Sequence, residues 1–393
     1  MTDRRIFNLF LLFIAFLSFH SCTTLQQVRK DDIEKQIQTI KQEHVPDTRV
    51  EIFEVEVQSQ DGKLVIKGAT SSQKAYKAIE HTAKTFSGKP IINQTRLLPE
   101  SSLEYTHGII NLSVGNIRSG PSHASTLITQ ALMGTPVKIY EKDGWWYRIQ
   151  TPDNYIGWID ATGILPLSKA KLENWKASGK IIFTDPYGSV YKTKGRESDP
   201  VSDAVMGNIF KMTENSDHWY KVEFPDGRTG YLEKEKAKTI SEWQNQIQVT
   251  GESLASLAAS FMGIPYLWGG TSIKGVDCSG FVKTIYFMHG IILQRDASQQ
   301  TNYGELIPLK NNYEALKPGD LLFFGSDRVT HVGMYIGDYQ FIHSAGRVKV
   351  NSLNENDPNY NEYRANTLIR ARRIVNSLEE EGISLYEENP FYQ

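Results

Sequence analysis

The chain has 393 residues, enough for two to four compact domains, since single cores usually stop growing well before this length. Hydrophobic residues make up 40% and charged residues 22%, ordinary for a globular protein and no sign of global disorder. The 43 basic and 45 acidic side chains leave a net charge of −2, so charge marks neither nucleic acid nor an anionic membrane as a partner.

Arg4 and Arg5 precede an apolar run from Ile6 to Phe19, and Ser21-Cys22 follows. About 14 residues is too short to cross a bilayer, which needs roughly 20. The layout is that of an export signal. A cysteine directly behind such a run resembles a bacterial lipoprotein cleavage site. The resemblance implies a signal peptide over 1–21, lipid on Cys22 and an anchor in the bacterial cell envelope. Thr23 is not the Asp that commonly marks inner-membrane retention, which points to the outer membrane, facing the periplasm. The second of the two cysteines is Cys278. With Cys22 lipidated, no disulfide is possible within the mature chain. Exported proteins normally pair their cysteines, so an unpaired thiol suggests a working nucleophile.

Residues 22–45 are polar with several helix formers and read as a tether. From 46 to 105 a small α/β domain is expected. Val50, Ile52, Val55 and Val57 alternate as a strand, and Leu64, Val65 and Ile66 form another beyond a turn at Gly62. Gln73 to Phe86 then reads as a helix with Ala75, Ile79, Ala83 and Phe86 on one face. This unit resembles the BON-type domains of envelope proteins and carries no catalytic constellation.

Short strands with turn signals follow. Gly144-Trp145-Trp146-Tyr147-Arg148 and Tyr155-Ile156-Gly157-Trp158-Ile159 resemble the bacterial SH3-like barrel. A looser copy comes later, as His218-Trp219-Tyr220-Lys221-Val222 and Gly230-Tyr231-Leu232. The same local pattern recurring in the same order predicts two tandem barrels, over 106–168 and 169–242, rather than one long sandwich.

The last domain, 250–393, holds the chemistry. Asp277-Cys278-Ser279-Gly280-Phe281 puts a cysteine where a loop becomes an apolar helix. A helix N-terminus stabilises a thiolate and lowers its pKa, and its N–H groups can hold an oxyanion. His331 opens a strand-like run to Gly337 and offers a base. His343 lies in the next strand, where it could orient the first imidazole.

The elements Tyr266-x-Trp268-Gly269-Gly270, Asp277-Cys278-Ser279-Gly280-Phe281, Pro318-Gly319-Asp320-Leu321, His331-Val332-Gly333-Met334-Tyr335-Ile336-Gly337 and Ile342-His343-Ser344 resemble, in identity and order, the NlpC-type papain-like cysteine peptidases. With two SH3-like barrels in front, the arrangement is similar to the γ-D-glutamyl-L-diamino acid endopeptidases, which cut murein stem peptides between D-Glu and diaminopimelate or Lys. The resemblance implies an α+β multidomain protein with a papain-like catalytic domain. It implies Cys278 as nucleophile, His331 as base and His343 as the orienting residue, with no metal or organic cofactor. For the substrate it implies Tyr266, Trp268, Asp277, Ser279 and the stretch Arg295-Asp296-Ala297-Ser298, with Tyr155 from the first barrel. Asp277 and Asp296 could neutralise a peptide ammonium or cap helices. Related enzymes often carry a Glu in the first barrel's long loop, whereas Arg118 to Gln130 has no acid and Thr126 stands near that place. Murein peptides with a free L-Ala amine are the expected substrate, and a monomer is expected. An amidase or acyltransferase on the same Cys–His pair, an endopeptidase on intact wall, and a non-catalytic wall-binding lipoprotein stay open.

Overall fold

A computed structural model describes residues 29–86, 91–310, 313–380 and 382–393. The expected signal peptide and Cys22 lie outside these residues. The chain divides into two compact units, one up to Ser102 and one from Leu103 onward. Among the described residues no helix is long and apolar enough to cross a membrane.

The first unit opens with helix α1 (29–44). Ile33, Ile37 and Ile40 recur at i, i+4 and i+7, one stripe of a 3.6-residue helix. All three are buried against Val45, Phe53, Val57, Leu64 and Ile66. Residues 29–45 are therefore core-forming, not the tether that their polar composition suggests. Strands β1 (Phe53–Gln60) and β2 (Lys63–Thr70) pair antiparallel. Asp61 and Gly62 join them, both at positive φ, as a two-residue hairpin turn requires. Helix α2 (Gln73–Thr85), capped by the Ser72 side chain, crosses to β3 (Ile92–Leu97), which runs parallel to β2.

The second unit begins with seven strands: β4 (His107–Ile110), β5 (Val114–Arg118), β6 (Leu127–Leu132), β7 (Pro136–Asp143), β8 (Trp146–Gln150), β9 (Ile156–Asp160) and β10 (Ile164–Leu167). Their order in the sheet is β10-β4-β7-β8-β9-β5-β6. Helix α3 (Lys169–Ala177) packs Leu172 and Trp175 on Ile109 and Leu167 of this barrel. The second barrel thus starts at Lys180, later than the expected 169. It comprises β11 (Lys180–Phe183), β12 (Tyr187–Tyr191), β13 (Pro200–Val205), β14 (Ile209–Asn215), β15 (Trp219–Glu223), β16 (Thr229–Glu233) and β17 (Ala237–Thr239). Its order, read from one end, is β17-β11-β14-β15-β16-β12-β13. Each strand occupies the place of the one seven earlier, so the repeat seen in the sequence is a repeat of topology. Gly157 and Gly230 share a reason as well. A Cβ on Gly157 would lie 2.5 Å from Ile117 Cγ2, and one on Gly230 2.6 Å from Val190 Cγ1.

The remainder is α+β. Helices α4 (Ile240–Gln246) and α5 (Gly251–Ala259) lead to a short hairpin of β18 (Thr271–Ser272) and β19 (Gly275–Val276), then to α6 (Cys278–Phe287). After β20 (Ile291–Ile292) and α7 (Ala297–Gln300) come β21 (Glu305–Ile307), β22 (Leu321–Gly325), β23 (Val329–Gly337), β24 (Gln340–Ala345) and β25 (Arg347–Ser352). Helix α8 (Glu362–Thr367), β26 (Leu368–Arg373) and β27 (Ser384–Leu385) complete the fold. Six strands form an antiparallel sheet, β21-β26-β22-β23-β24-β25. Phe281, Val282 and Ile285 of α6 are fully buried against Phe323, Val332, Met334 and Ile342 of this sheet. Each such side chain contributes about 1.5–3 kcal/mol. Leu132 and Ile209 from the two barrels belong to the same core. The barrels are therefore packed onto the last domain and not strung out before it.

Candidate active site

Cys278 is the first residue of α6, and its thiol is free and buried. The turn into the helix is tightly specified. Gly280 donates its N–H to Asp277 Oδ1 at 2.7 Å, and Gly269 donates to Oδ2 at 2.9 Å. A Cβ on Gly280 would lie 2.0 Å from the Gly270 carbonyl oxygen, so this approach requires glycine at 280. Burial pushes the Cys278 thiol up to about 11, and the neighbouring Asp277 charge adds to it. Hydrogen bonds from the Val332 and Ser279 backbones to sulfur, and the Arg295 charge, pull the other way and lose. Burial thus works against the lowering expected of the helix terminus. At rest the group is a thiol and needs a base.

That base stands where the sheet opens. His331 pairs with Phe324 across β22–β23, whereas pairing of β23 with β24 extends only as far as Met334 opposite Ile342. Val332 N–H is left to reach the sulfur. His331 Nε2 lies 2.7 Å from His343 Nδ1, and His343 Nε2 lies 2.9 Å from Asn351 Oδ1. Asn351 donates from Nδ2 to the Asn359 carbonyl at 2.9 Å, which fixes its amide with oxygen toward His343. The protons follow by elimination. His343 carries its proton on Nε2 and accepts at Nδ1, so His331 donates from Nε2 and keeps a lone pair on Nδ1. Burial lowers the pKa of His331 well below the usual range, with the nearby positive charges of Arg364 and Lys349 adding to it. Burial likewise lowers His343 to about 4, against the opposing hydrogen bond to Asn351. Both imidazoles are neutral, as a base must be.

A cavity of roughly 550 Å³, within the usual range for small-ligand sites, joins these groups to the remaining expected residues. Tyr155, Tyr266, Trp268, Asp277, Ser279, Asp296, Ala297 and Ser298 all line it, with Cys278 and His331. From the first barrel come Tyr155 and Ile128; Thr126 does not line it. Tyr155 donates its hydroxyl to Asp296 Oδ2 at 3.1 Å, a bond spanning two domains. Burial, then the nearby Cys278 and Asp277, push the Tyr266 hydroxyl up to about 12, so it remains a donor.

Asp277 is committed elsewhere. Its carboxylate is held by both terminal nitrogens of the fully buried Arg295, one of them at 3.1 Å, in addition to the two backbone donors. Ser279 Oγ is likewise taken up between Arg295 and Asp277, at 3.0 and 3.2 Å. Asp277 therefore positions the helix and has no charge left for a ligand ammonium, so of the two roles expected of it the capping one is what its contacts serve. Asp296 lines the cavity, where it accepts from Tyr155 and stands at the N-cap of α7. The sequence reading missed Asn351 and Ile128. Asn351 sits on β25 between Val350 and Ser352 and reads as an ordinary outward polar position. Among the described residues, no cluster of His, Cys, Asp and Glu could hold a metal ion.

The NlpC/P60 family model matches residues 263–370, and the bacterial SH3 domain model matches 113–164. The chain is 32% identical over 241 residues to the γ-D-glutamyl-L-lysine dipeptidyl-peptidase of Bacillus cereus, covering 57% of this chain and 68% of that one. The chain belongs to the NlpC/P60 family. This is a family of cysteine peptidases, and the matched span holds Cys278, His331, His343 and Asn351. Dipeptidyl-peptidase 6 of Lysinibacillus sphaericus is 28% identical over 272 residues, 67% of this chain and 97% of its own. A crystal structure of an NlpC/P60 family protein from Bacillus cereus superposes with a TM-score of 0.59 at 25% identity, covering 68% of this chain and 99% of the other. The second barrel's kinship with the bacterial SH3 domain rests on its shared strand order with the first.

Proposed function

We propose that this NlpC/P60 protein is a cysteine endopeptidase that hydrolyses the γ-D-Glu–diamino acid bond of murein stem peptides and takes short peptides with a free L-Ala amine. The observation that carries this is a hydrogen-bonded row from Asn351 through His343 to His331, beside Cys278 in a cavity bounded by Tyr155 and Asp296. The name of the Bacillus cereus relative, a γ-D-glutamyl-L-lysine dipeptidyl-peptidase, supports the same substrate class.

In this reading Cys278 Sγ attacks the γ-carbonyl carbon while His331 Nδ1 takes the thiol proton. Backbone N–H groups of the first turn of α6 and the Tyr266 hydroxyl are donors for the oxyanion. The C–N bond breaks, His331 returns the proton to the leaving amine, and a thioester remains on Cys278. Water, deprotonated by His331, releases the dipeptide acid and restores the thiol. His343 keeps His331 in the productive tautomer. Asp296 meets the L-Ala ammonium with Tyr155 beside it, and Trp268 covers the mouth of the groove. Lipid on Cys22, a place on the outer membrane facing the periplasm, and action as a monomer complete the proposal.

Mass spectrometry of products from L-Ala-γ-D-Glu-meso-diaminopimelate tests the bond. The expected products are L-Ala-D-Glu and free diaminopimelate. Free alanine, or an uncleaved tripeptide, contradicts the assignment.

A further inference from the structure

Tyr155 reaches the cavity from a loop, residues 151–155, that belongs to another domain than Cys278. Inside the loop, Thr151 N–H donates to the Tyr155 carbonyl at 3.0 Å, and the Thr151 hydroxyl donates to Asp153 Oδ1 at 2.5 Å. Asn154 takes a positive φ of 65° to make the turn. These bonds fix the loop's shape but not its place relative to the sulfur.

Its place is set from the other domain. Asp153 is buried, and its Oδ2 lies 3.3 Å from Lys283 Nζ. Lys283 sits on α6, five residues beyond Cys278. The Pro152 carbonyl accepts from Asn389 Nδ2 at 3.0 Å in a buried bond. Asn389 follows β27, which pairs with β20 just past the end of α6. Tyr386 and Tyr392 flank Asn389 and pack on Phe287, the last residue of α6, each with ring centres 6.5 Å away. One helix thus carries the thiol at its start, an ion pair to the loop at its middle and the second anchor at its end. An α-helix is stiff over this length, about 15 Å for ten residues.

We propose that Lys283 and Asn389 are positioning residues that lock the Tyr155 loop to the nucleophile helix and so fix how much peptide fits between the closed end and the thiol. Neither touches the reacting atoms. The helix acts as a gauge: the γ-carbonyl reaches Cys278 only when the L-Ala amine lies against Tyr155 and Asp296. Loosening either anchor widens the gap and admits peptides with a substituted amine. The inference rests on the reading that Tyr155 closes the amine end.

The test compares the full chain with Asn389→Leu and with Asp153→Asn/Lys283→Gln, a pair that removes the ion pair without orphaning a buried charge. Two quantities are read: kcat/KM for the free and N-acetylated tripeptides, and hydrogen exchange of the 151–156 amides. The free-to-acetylated preference should fall at least about threefold, through a higher KM for the free peptide at nearly constant kcat. Exchange in the loop should quicken while that of β4 and β7 stays as it was. Lys283→Arg should restore both. Should Asn389→Leu fail to fold, Asn389→Ser withdraws the donor from Pro152 without burying a charge, and should the double variant fail, Asp153→Asn alone weakens the ion pair. Unchanged loop exchange overturns the anchoring, and faster exchange with an unchanged preference overturns its role in selectivity. Equal rates on both peptides in the unaltered protein overturn the closed-end reading itself.

Discussion

The two barrels share a strand order and bury equivalent residues, Ile149 and Ile159 in one, Val222 and Leu232 in the other. Their corresponding loops do different work. Between β8 and β9 the loop ends in Tyr155, bonded to Asp296 in the cavity. Between β15 and β16 it ends in Arg228, which bonds Asp226 at 2.7 Å and faces Asn111 of the first barrel. The second barrel instead steadies the hairpin ahead of the nucleophile: Tyr187 donates to the Ile273 carbonyl at 2.9 Å, and Asp203 pairs with Lys274. A repeated core fixes architecture, and the residues at loop ends decide what each copy does.

The largest expected effect separates chemistry from both barrels. Cys278→Ala should lower turnover by at least about 10⁴-fold, because removing a nucleophile removes the covalent path. Thermal unfolding should change little, since Ala fills the same helix start. Appreciable turnover by the purified variant would place the chemistry elsewhere.

Next comes the row behind the base. Asn351→Leu should cut kcat about 10- to 100-fold, since the tautomer of His343 is no longer dictated and part of the general-base contribution is lost. Asn351→Asp puts a charge opposite His343 Nε2–H, favours the protonated row and should move the acid limb of kcat/KM to higher pH. The same groups govern acid stability. His343 has a folded pKa of about 4 against roughly 6.5 when unfolded. The unfolded chain therefore binds the proton first as pH falls, and stability present above 6.5 is lost toward 4. A melting temperature flat across that window contradicts the buried neutral pair.

The smallest effect compares the barrels directly. Gly157→Ala and Gly230→Ala should each cost about 1–3 kcal/mol in denaturant unfolding, since each Cβ meets a packed side chain. Only the first, two residues from Tyr155, should alter KM. Equal changes in KM would mean that both barrels shape the groove.

Much of this was legible in the sequence. Cys278, His331 and His343 stand out because nucleophile, base and orienter fall at the start of an apolar helix and on successive apolar strands. The barrel repeat was visible in its aromatic strands. Helix α1 was hidden by its charged residues, although Ile33, Ile37 and Ile40 carry the helical period. The commitment of Asp277 could not be read, because its partner Arg295 is 18 residues away and only the fold brings them together. The thiol's raised pKa was out of reach for a related reason: burial is a property of the folded chain. Asn351 gave no local signal, since its role depends on two neighbouring strands and the Asn359 carbonyl.

The central claim is that the first barrel, and not its copy, closes the amine end of the groove. The direct measurement is kcat/KM for L-Ala-γ-D-Glu-diaminopimelate and its N-acetyl form in the unaltered protein, Tyr155→Ala and Arg228→Ala. The account predicts at least about tenfold preference for the free amine in the unaltered protein and in Arg228→Ala. In Tyr155→Ala most of that preference should be lost. Equal rates on both peptides in the unaltered protein, or a preference that survives Tyr155→Ala, would contradict it.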